Sequence, residues 1–471
     1  MVESLYCIRI EFNLIPLHVV YILVFWFGRR RSLSVIQDID CVAVAQAEHG
    51  VLPYNQRKYQ EADNSESMEV DANGSSENGN KVSIENEGEE DDNDDDELKM
   101  EAHEQFGAPR SRIGEWASCV QLCSASDGEV MCTCEMETNE AAITCCLVDF
   151  LSTSSEETLL VVGTAKDLRF NPQSHNGGML RVYRPTSSRN LELVHATPTE
   201  GIPGALHPFH GRLLAGIGKT LRLFDFGKKR MLRKAENSQF SSMIRSIESA
   251  GDRIYVGDAR DSFFFAKYRK EDNQLYLFAD DQQPRYITAT AHIDYDTVAC
   301  GDKFGNISIM RLPKEVSDEV EDDPTAGKGI ETASSMNGAP NKASAEVNFY
   351  VGETVTSLGK VQMEVGGNEV LLYSTNMGTL GALLPFTSRD DLDFCSHLEM
   401  HMRQEKPPLS GRDHLSFRSH YFPVRNAVDG DLCEQYAMLD AETQRNVAEQ
   451  LERASAGDVH RKLEEMRSKI A

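Results

Sequence analysis

A two-strand unit that recurs along the chain constrains the fold more than any other feature. "LLVVGTAKD" (Leu159–Asp167) leads to "GGMLRVYR" (Gly177–Arg184). "RLLAGIGKTLRLFDF" (Arg212–Phe226), "RIYVGDARDSFFFAKYR" (Arg253–Arg269), "TVACGDKFGNISIMRL" (Thr297–Leu312) and "VLLYSTNMGTLGALLPF" (Val370–Phe386) follow the same plan. Each is a short apolar run, a tight polar or Gly-containing turn, and a second run, the pattern of paired strands. Gly163, Gly216, Gly257 and Gly301 stand at the turn entries, at spacings of 53, 41 and 44 residues. A four-stranded propeller blade repeats at roughly 40–50 residues. The expected fold is therefore mainly β, a β-propeller of the seven-bladed type that need not be complete within this chain, with a β-sandwich as runner-up. Propellers protect strand edges by radial repetition, so such a ring needs closure. Ile36–Gly50 and Trp116–Ser124 supply further strands, and Leu191–Pro198 and Gln274–Asp281 fit outer positions of blades.

Charge divides the rest of the chain. The formal net charge is −27. Residues 61–105 hold 18 acidic and 2 basic side chains, and 314–331 hold 7 and 2, so these windows carry −16 and −5 of the total. Acidic blocks of this kind are expected to be disordered insertions, here 61–105 and 314–345. They oppose broad attraction to nucleic acid. The 11 cysteines are odd in number and scattered, which excludes a disulfide framework and fits a reducing compartment. Leu14–Gly28 is apolar and precedes Arg29–Arg31, but it is short for a membrane span and interrupted by Pro16 and His18. Residues 1–33 read as an apolar leader outside the fold and 34–390 as the β domain. Residues 391–471 read as a small helical subdomain: Asp391–Gln404 is helical, Asp440 and Asp458 are candidate N-caps, and Val459, Leu463, Met466 and Ile470 form an apolar stripe.

Several motifs suggest chemistry and fail on pattern. Gly218-Lys219-Thr220 ends like a phosphate loop, but such a loop needs a glycine where Leu213 stands and must open a helix. "TLRLFDF" after it reads as a strand, with Leu221 and Leu223 on one face and Phe224 and Phe226 on the other. Cys119-x3-Cys123 and Cys132-x-Cys134, near Cys145 and Cys146, invite a zinc reading, yet alternation makes small buried cysteines the better account. His397 and His401 flank Glu399 in the wrong order for a metalloprotease. The basic run Phe226–Lys234 lacks the aromatic platform of single-strand binders and reads as a solvated edge. No catalytic triad, paired catalytic carboxylates or dinucleotide fingerprint is present, so no enzyme activity, metal or cofactor is expected.

"LRVYR", "LLAGIGKTLRLFDFGKKRMLRKAEN", "YDTVACGDKFGNISIMRLP", "VGETVTSL" and "PPLSGRDHLSFRSHYFPVRNAVDGDLCEQY" resemble the C-terminal part of the splicing factor 3B subunit 3 family, whose wider kin are the large damaged-DNA-binding protein and the large cleavage and polyadenylation specificity factor subunit. The resemblance runs from about Gly107 to Met466. "GRDHLSFRS" (Gly411–Ser419) and "DGDLCEQY" (Asp429–Tyr436) look specific to the splicing member. It implies three propellers and a C-terminal helical domain, of which this chain carries the third propeller and the helices. It implies that the third propeller borrows strands from outside its main stretch, and that the apolar leader has no counterpart. It further implies a nuclear, non-enzymatic scaffold of the U2 small nuclear ribonucleoprotein. The partners would be other splicing factor 3B subunits, notably the large helical-repeat subunit, with pre-mRNA and U2 RNA met only indirectly and no small-molecule substrate. An adaptor of the damaged-DNA-binding or polyadenylation type is the alternative. The block-specific residues Arg412, Asp413, His414, Phe417, Arg418, Tyr421, Phe422, Asp429, Asp431 and Glu434 are the candidate interaction residues.

Overall fold

The computed structural model describes residues 5–9, 30–36, 39–50, 111, 114–151, 157–170, 172–228, 230–323, 338–363 and 366–469. The acidic stretch 61–105 and the apolar run Leu14–Gly28 lie outside the described residues. The fold is mainly β, built from consecutive antiparallel sheets. Sheet 1 comprises Arg30–Ile36, Cys41–His49, Trp116–Ser124 and Val130–Glu135. Sheet 2 comprises Glu140–Asp149, Thr158–Lys166, Gly178–Pro185 and Leu191–Thr199. Sheet 3 is Pro203–Phe209, Arg212–Ile217, Thr220–Asp225 and Leu232–Asn237. Sheet 4 is Ile244–Ala250, Arg253–Asp258, Phe263–Arg269 and Gln274–Asp280, with Asn341–Lys342 added in parallel. Sheet 5 is Ile287–Asp294, Thr297–Asp302, Asn306–Arg311 and Ser344–Tyr350. Sheet 6 is Val355–Gln362, Glu369–Thr375 and Leu380–Pro385, then Leu5–Arg9, then Ala427–Asp429. The first strand of each sheet packs on the first strand of the next, from sheet 1 through sheet 6.

A repeated irregularity explains the repeated glycines. In all six sheets the pairing of the first two strands slips by one residue, leaving Arg31, Ile143, Gly204, Arg245, Thr288 and Thr356 as bulged residues. The residue after each bulge faces Ala45, Gly163, Gly216, Gly257, Gly301 or Ser374 on the second strand. Bulges bend and twist a strand, and the next sheet's first strand closes on that bend. A Cβ on Gly163 would lie 2.9 Å from Pro203 Cβ, and one on Gly216 would lie 2.5 Å from Ile244 Cγ2. These glycines are not turn residues, as their place at the turn entry suggested. They sit inside strands at ordinary φ; at Gly163, Gly216 and Gly301 the need is close approach between sheets, while at Gly257 the nearest atom is Ser246 Oγ of its own sheet. Gly218, at φ +57° with nothing within 4 Å of its missing Cβ, is the residue that makes the turn.

The alternation read in Thr220–Asp225 holds. Leu221 and Leu223 join the core shared with sheet 4, around Phe240, Ile244 and Phe264. Phe224 joins the core shared with sheet 2, where Phe226 packs alongside.

Two segments read as lying outside the fold contribute to it. Leu5–Arg9, within the presumed leader 1–33, pairs antiparallel with Leu380–Pro385 in the register Cys7↔Leu383. Sheet 6 has three strands of its own, and an open strand edge is completed by any β-prone segment that can reach it. Acidic 314–345, expected to be disordered, begins as helix α1 (Lys314–Asp322) and ends in strands Asn341–Lys342 and Ser344–Tyr350. Its acidic face points outward while Ser317 and Val320 are buried. Arg253, wholly buried, holds it: Nη2 donates to Ser317 Oγ at 3.0 Å and Glu321 Oε1 at 2.8 Å, and Nη1 to Asp296 Oδ1 at 2.6 Å.

The C-terminal helices share a core with sheet 6. They are α2 (Arg389–Glu405), α3 (His414–Phe417), α4 (Gly430–Glu434), a 3₁₀ turn (Gln435–Met438), α5 (Ala441–Gln450) and α6 (Ala456–Ser468). Alternation divides the sheet between two neighbours. Leu371, Tyr373 and Leu383 face sheet 5, while Val370, Leu372, Ala382 and Leu384 face Phe394 and Leu398 of α2 and Val459, Leu463 and Met466 of α6. The apolar stripe of α6 is thus explained as far as Met466; Ile470 lies outside the described residues. Asp440 caps α5, accepting from Thr443 N at 3.0 Å. Asp458 does not cap α6: Ser455 is the N-cap, and its hydroxyl donates to Asp458 one turn in, at 3.1 Å.

Candidate protein-interaction surface at the C-terminal block

Residues 411–436 cross from the end of sheet 5 to the edge of sheet 6. Asn348 and Arg425 exchange backbone hydrogen bonds of 3.2 and 3.0 Å, and Tyr350 N donates to Arg418 O at 3.0 Å. Ala427–Asp429 then pairs in parallel with Leu5–Arg9.

The centre of the block is a buried charge cluster. Asp429 Oδ2 accepts from Arg418 Nε at 2.5 Å and from His414 Nε2 at 2.9 Å. Asp429 Oδ1 accepts from Arg418 Nη2 at 3.0 Å and from Leu432 N at 3.3 Å, which also caps α4. The Asp429 backbone N–H donates to Glu399 Oε1 of α2, and Arg403 holds the other oxygen at 2.8 Å. Burial pushes the Asp429 carboxyl up, but the hydrogen bonds and charges of His414 and Arg418 outweigh it and hold the group below the usual range.

Around this cluster lies an aromatic layer. Phe304 meets Tyr421 edge-on at 4.9 Å, and His420 stacks on Tyr350 at 5.2 Å. Lys303 Nζ sits 4.0 Å from the Tyr286 ring centroid and 4.9 Å from that of Phe304. Arg285 lies over Phe422 at 4.7 Å. Such cation–aromatic contacts contribute on the order of 0.5–2 kcal/mol each.

The ten candidate residues therefore divide. His414, Arg418 and Asp429 are brought together and are buried, so they brace the block from within. Asp413 caps α3 through Leu415 N at 3.1 Å, and Arg412 is exposed beside it. Phe417 and Tyr421 are exposed, at 41% and 59%, with Leu415 also open at 41%. Phe422 is half-buried under Arg285. Asp431 reaches Arg418 at 3.4 Å, and Glu434 pairs apart from the cluster, with Arg467 at 2.6 Å. Sequence reasoning missed Tyr286, Lys303, Phe304 and Tyr350, which form the layer's floor. The available signal was the "GDKFGN" turn, whose Asp302 accepts from Phe304 N at 2.9 Å and Asn306 N at 2.8 Å and so projects Lys303 and Phe304.

The other motifs fall elsewhere. Gly218-Lys219 is a two-residue hairpin between Ile217 and Thr220, and a strand follows it. Cys132 and Cys134 lie on one face of an edge strand with their sulfurs 3.8 Å apart, while Cys119, Cys123, Cys145 and Cys146 are buried. His397 and His401 lie on α2. Among the described residues no three His, Cys, Asp or Glu side chains are grouped to hold a metal, and no helix is long and apolar enough to cross a membrane. The basic run ends in sheet 3's outer strand, where Arg233 pairs with Glu236 at 2.7 Å and Lys234 with Asp225 at 3.6 Å.

The fold defines a β-repeat protein, a series of small antiparallel sheets with their first strands in succession. A family model described as "CPSF A subunit region" matches residues 117–438, and the chain belongs to that β-propeller family. It is 47% identical over 433 residues to spliceosome-associated protein 130 A of Arabidopsis thaliana, covering 91% of this chain and 35% of that one. It is 46% identical over 367 residues to splicing factor 3B subunit 3 of Danio rerio, covering 78% and 30%. Against pre-mRNA-splicing factor RSE1 of Mycosarcoma maydis the identity is 44% over 364 residues, covering 77% and 30%. The chain thus spans about a third of the length of these relatives.

Proposed function

We propose that this chain serves as a non-enzymatic scaffold in pre-mRNA splicing, as part of the splicing factor 3B complex of the U2 small nuclear ribonucleoprotein in the nucleus. The six sheets are read as blades of a seven-bladed-type propeller, and the helical tail covers the far face of the last one. Partners are other splicing factor 3B subunits, notably the large helical-repeat subunit, and RNA is met only through them. The observation that carries the reading is the C-terminal block: its buried Arg418–Asp429–His414 cluster fixes a rigid platform on which Leu415, Phe417 and Tyr421 remain exposed. Rigid exposed aromatics are what protein interfaces use as anchors. The test is co-purification of the tagged chain from nuclear extract, scored for U2 RNA and the large helical-repeat subunit. Recovery of both, reduced by Phe417→Ala with Tyr421→Ala, is expected. Recovery of cullin-ligase or polyadenylation subunits instead would replace this reading with the adaptor alternative.

A further inference from the structure

The Gly218–Lys219 hairpin, no phosphate loop, borders a cavity of about 310 Å³ at the junction of sheets 2, 3 and 4. Its wall includes His175, Lys219, Ser242 and Arg260. These come from three second-to-third-strand connections and one sheet-to-sheet connection, which the fold gathers on one rim. Lys219 and Arg260 are exposed, and among the described residues neither side chain makes a hydrogen bond or ion pair. His175 accepts from Gly177 N through Nδ1 at 3.0 Å, and its Nε2 makes no hydrogen bond among the described residues. Behind this wall the carboxylate of Asp258 is buried and already accepts from Ser242 N at 2.8 Å and Arg260 N at 2.9 Å. Unpaired cations around a small cavity stand out on a chain of net charge −27.

A second cavity, of about 680 Å³, shares Ser241 with the first and has the opposite character. Asp261, Asp280 and Asp281 line it. Asp280 is paired with Lys342 at 2.5 Å and Asp281 with Arg285, but the carboxylate of Asp261 has no partner among the described residues. A basic cavity and an acidic one thus lie side by side.

We propose that the two cavities together bind a partner peptide in which a phosphorylated serine or threonine stands beside a lysine or arginine. The phosphoryl group enters the cavity of Lys219, Arg260 and His175, where charge-assisted hydrogen bonds are strongest. The neighbouring cation faces Asp261. The cavity takes one phosphoryl-bearing side chain, whereas a nucleic-acid strand would lay further phosphates against Asp261 and be repelled. The site uses none of the residues of the C-terminal block and stands whether or not the splicing assignment holds.

The experiment titrates the full chain with fluorescent peptides containing phosphoserine-arginine, serine-arginine or phosphoserine-alanine, and with a single-stranded RNA oligonucleotide. The phosphoserine-arginine peptide is expected to bind best. Lys219→Ala with Arg260→Ala should weaken it about tenfold or more. Asp261→Asn should weaken the phosphoserine-arginine peptide but leave phosphoserine-alanine unchanged. All three positions are exposed, so unchanged circular dichroism melting is expected and separates loss of binding from loss of fold. Equal binding of the phosphorylated and unphosphorylated peptides overturns the proposal. So does RNA binding that the same variants abolish, which would make this a nucleic-acid site.

Discussion

Gly301 lies directly beneath Val355: a Cβ on the glycine would stand 2.5 Å from Val355 Cγ1, across the junction of sheets 5 and 6. The same contact recurs at Gly216 with Ile244. Gly301→Ala is therefore expected to destabilise by about 1–3 kcal/mol, the usual cost of overpacking. Gly218→Ala meets no neighbour and should cost only about 1–2 kcal/mol, for its left-handed backbone. Thermal melting checks the order. In a double-mutant cycle, Val355→Ala should recover part of the Gly301→Ala loss, because it removes the methyl groups in the way.

Asp429 makes the C-terminal block sensitive to acid. Its carboxyl is held below the ordinary value of 3.8. The folded state therefore prefers the ionised form. The resulting stability is complete above the ordinary value and is lost as the pH falls below it, through the folded value. Amide exchange in α2 and α4 should rise below about pH 4, before any comparable rise in sheet 3. Asp429→Asn should shift that onset, and an unchanged onset would mean that another group controls it.

Arg418 is the buried cation of the same cluster. Arg418→Ala leaves the buried Asp429 carboxylate with hydrogen bonds from His414 and Leu432 N but without its arginine partner. A cost of about 3–5 kcal/mol is expected, as for breaking other buried pairs. Limited proteolysis should then cut between residues 405 and 430 while the sheets stay resistant.

Arg253 tests whether the start of the acidic segment belongs to the fold. Its guanidinium binds Asp296, Ser317 and Glu321 and lies 3.9 Å from the Tyr295 ring. Arg253→Ala should release α1, at about 3–5 kcal/mol, and expose 314–322 to protease. Equal protection in the variant and the parent would mean that Val320 packing and the Lys267 contacts to Val320 O and Glu321 hold the helix without Arg253.

Burial also sets thiol reactivity. Cys300 and Cys395 are pushed up to about 12 by desolvation, so little thiolate exists at neutral pH. Both should resist alkylation until denaturant is added, as mass spectrometry of labelled peptides can show.

What local pattern encodes, this sequence states openly. Period-two alternation placed Leu221 and Leu223 against one neighbour and Phe224 and Phe226 against the other, because side chains of a strand must point to opposite faces. Helical spacing placed Val459, Leu463 and Met466 on one buried stripe, and Asp440 announced the start of α5. The recurrence of Gly163, Gly216, Gly257 and Gly301 revealed the repeat, but its cause did not lie in the turns. The cause is the next sheet's first strand, 28 to 54 residues further on, and only packing brings Pro203, Ile244 and Val355 to those points. The same limit applies to Leu5–Arg9, to α1 and to the Arg418–Asp429–His414 cluster. Each depends on partners distant in the chain, and the energy that orders them comes from closing a strand edge or neutralising a buried charge. Neither term can be read from a segment alone, because both exist only once the sheets have assembled around it.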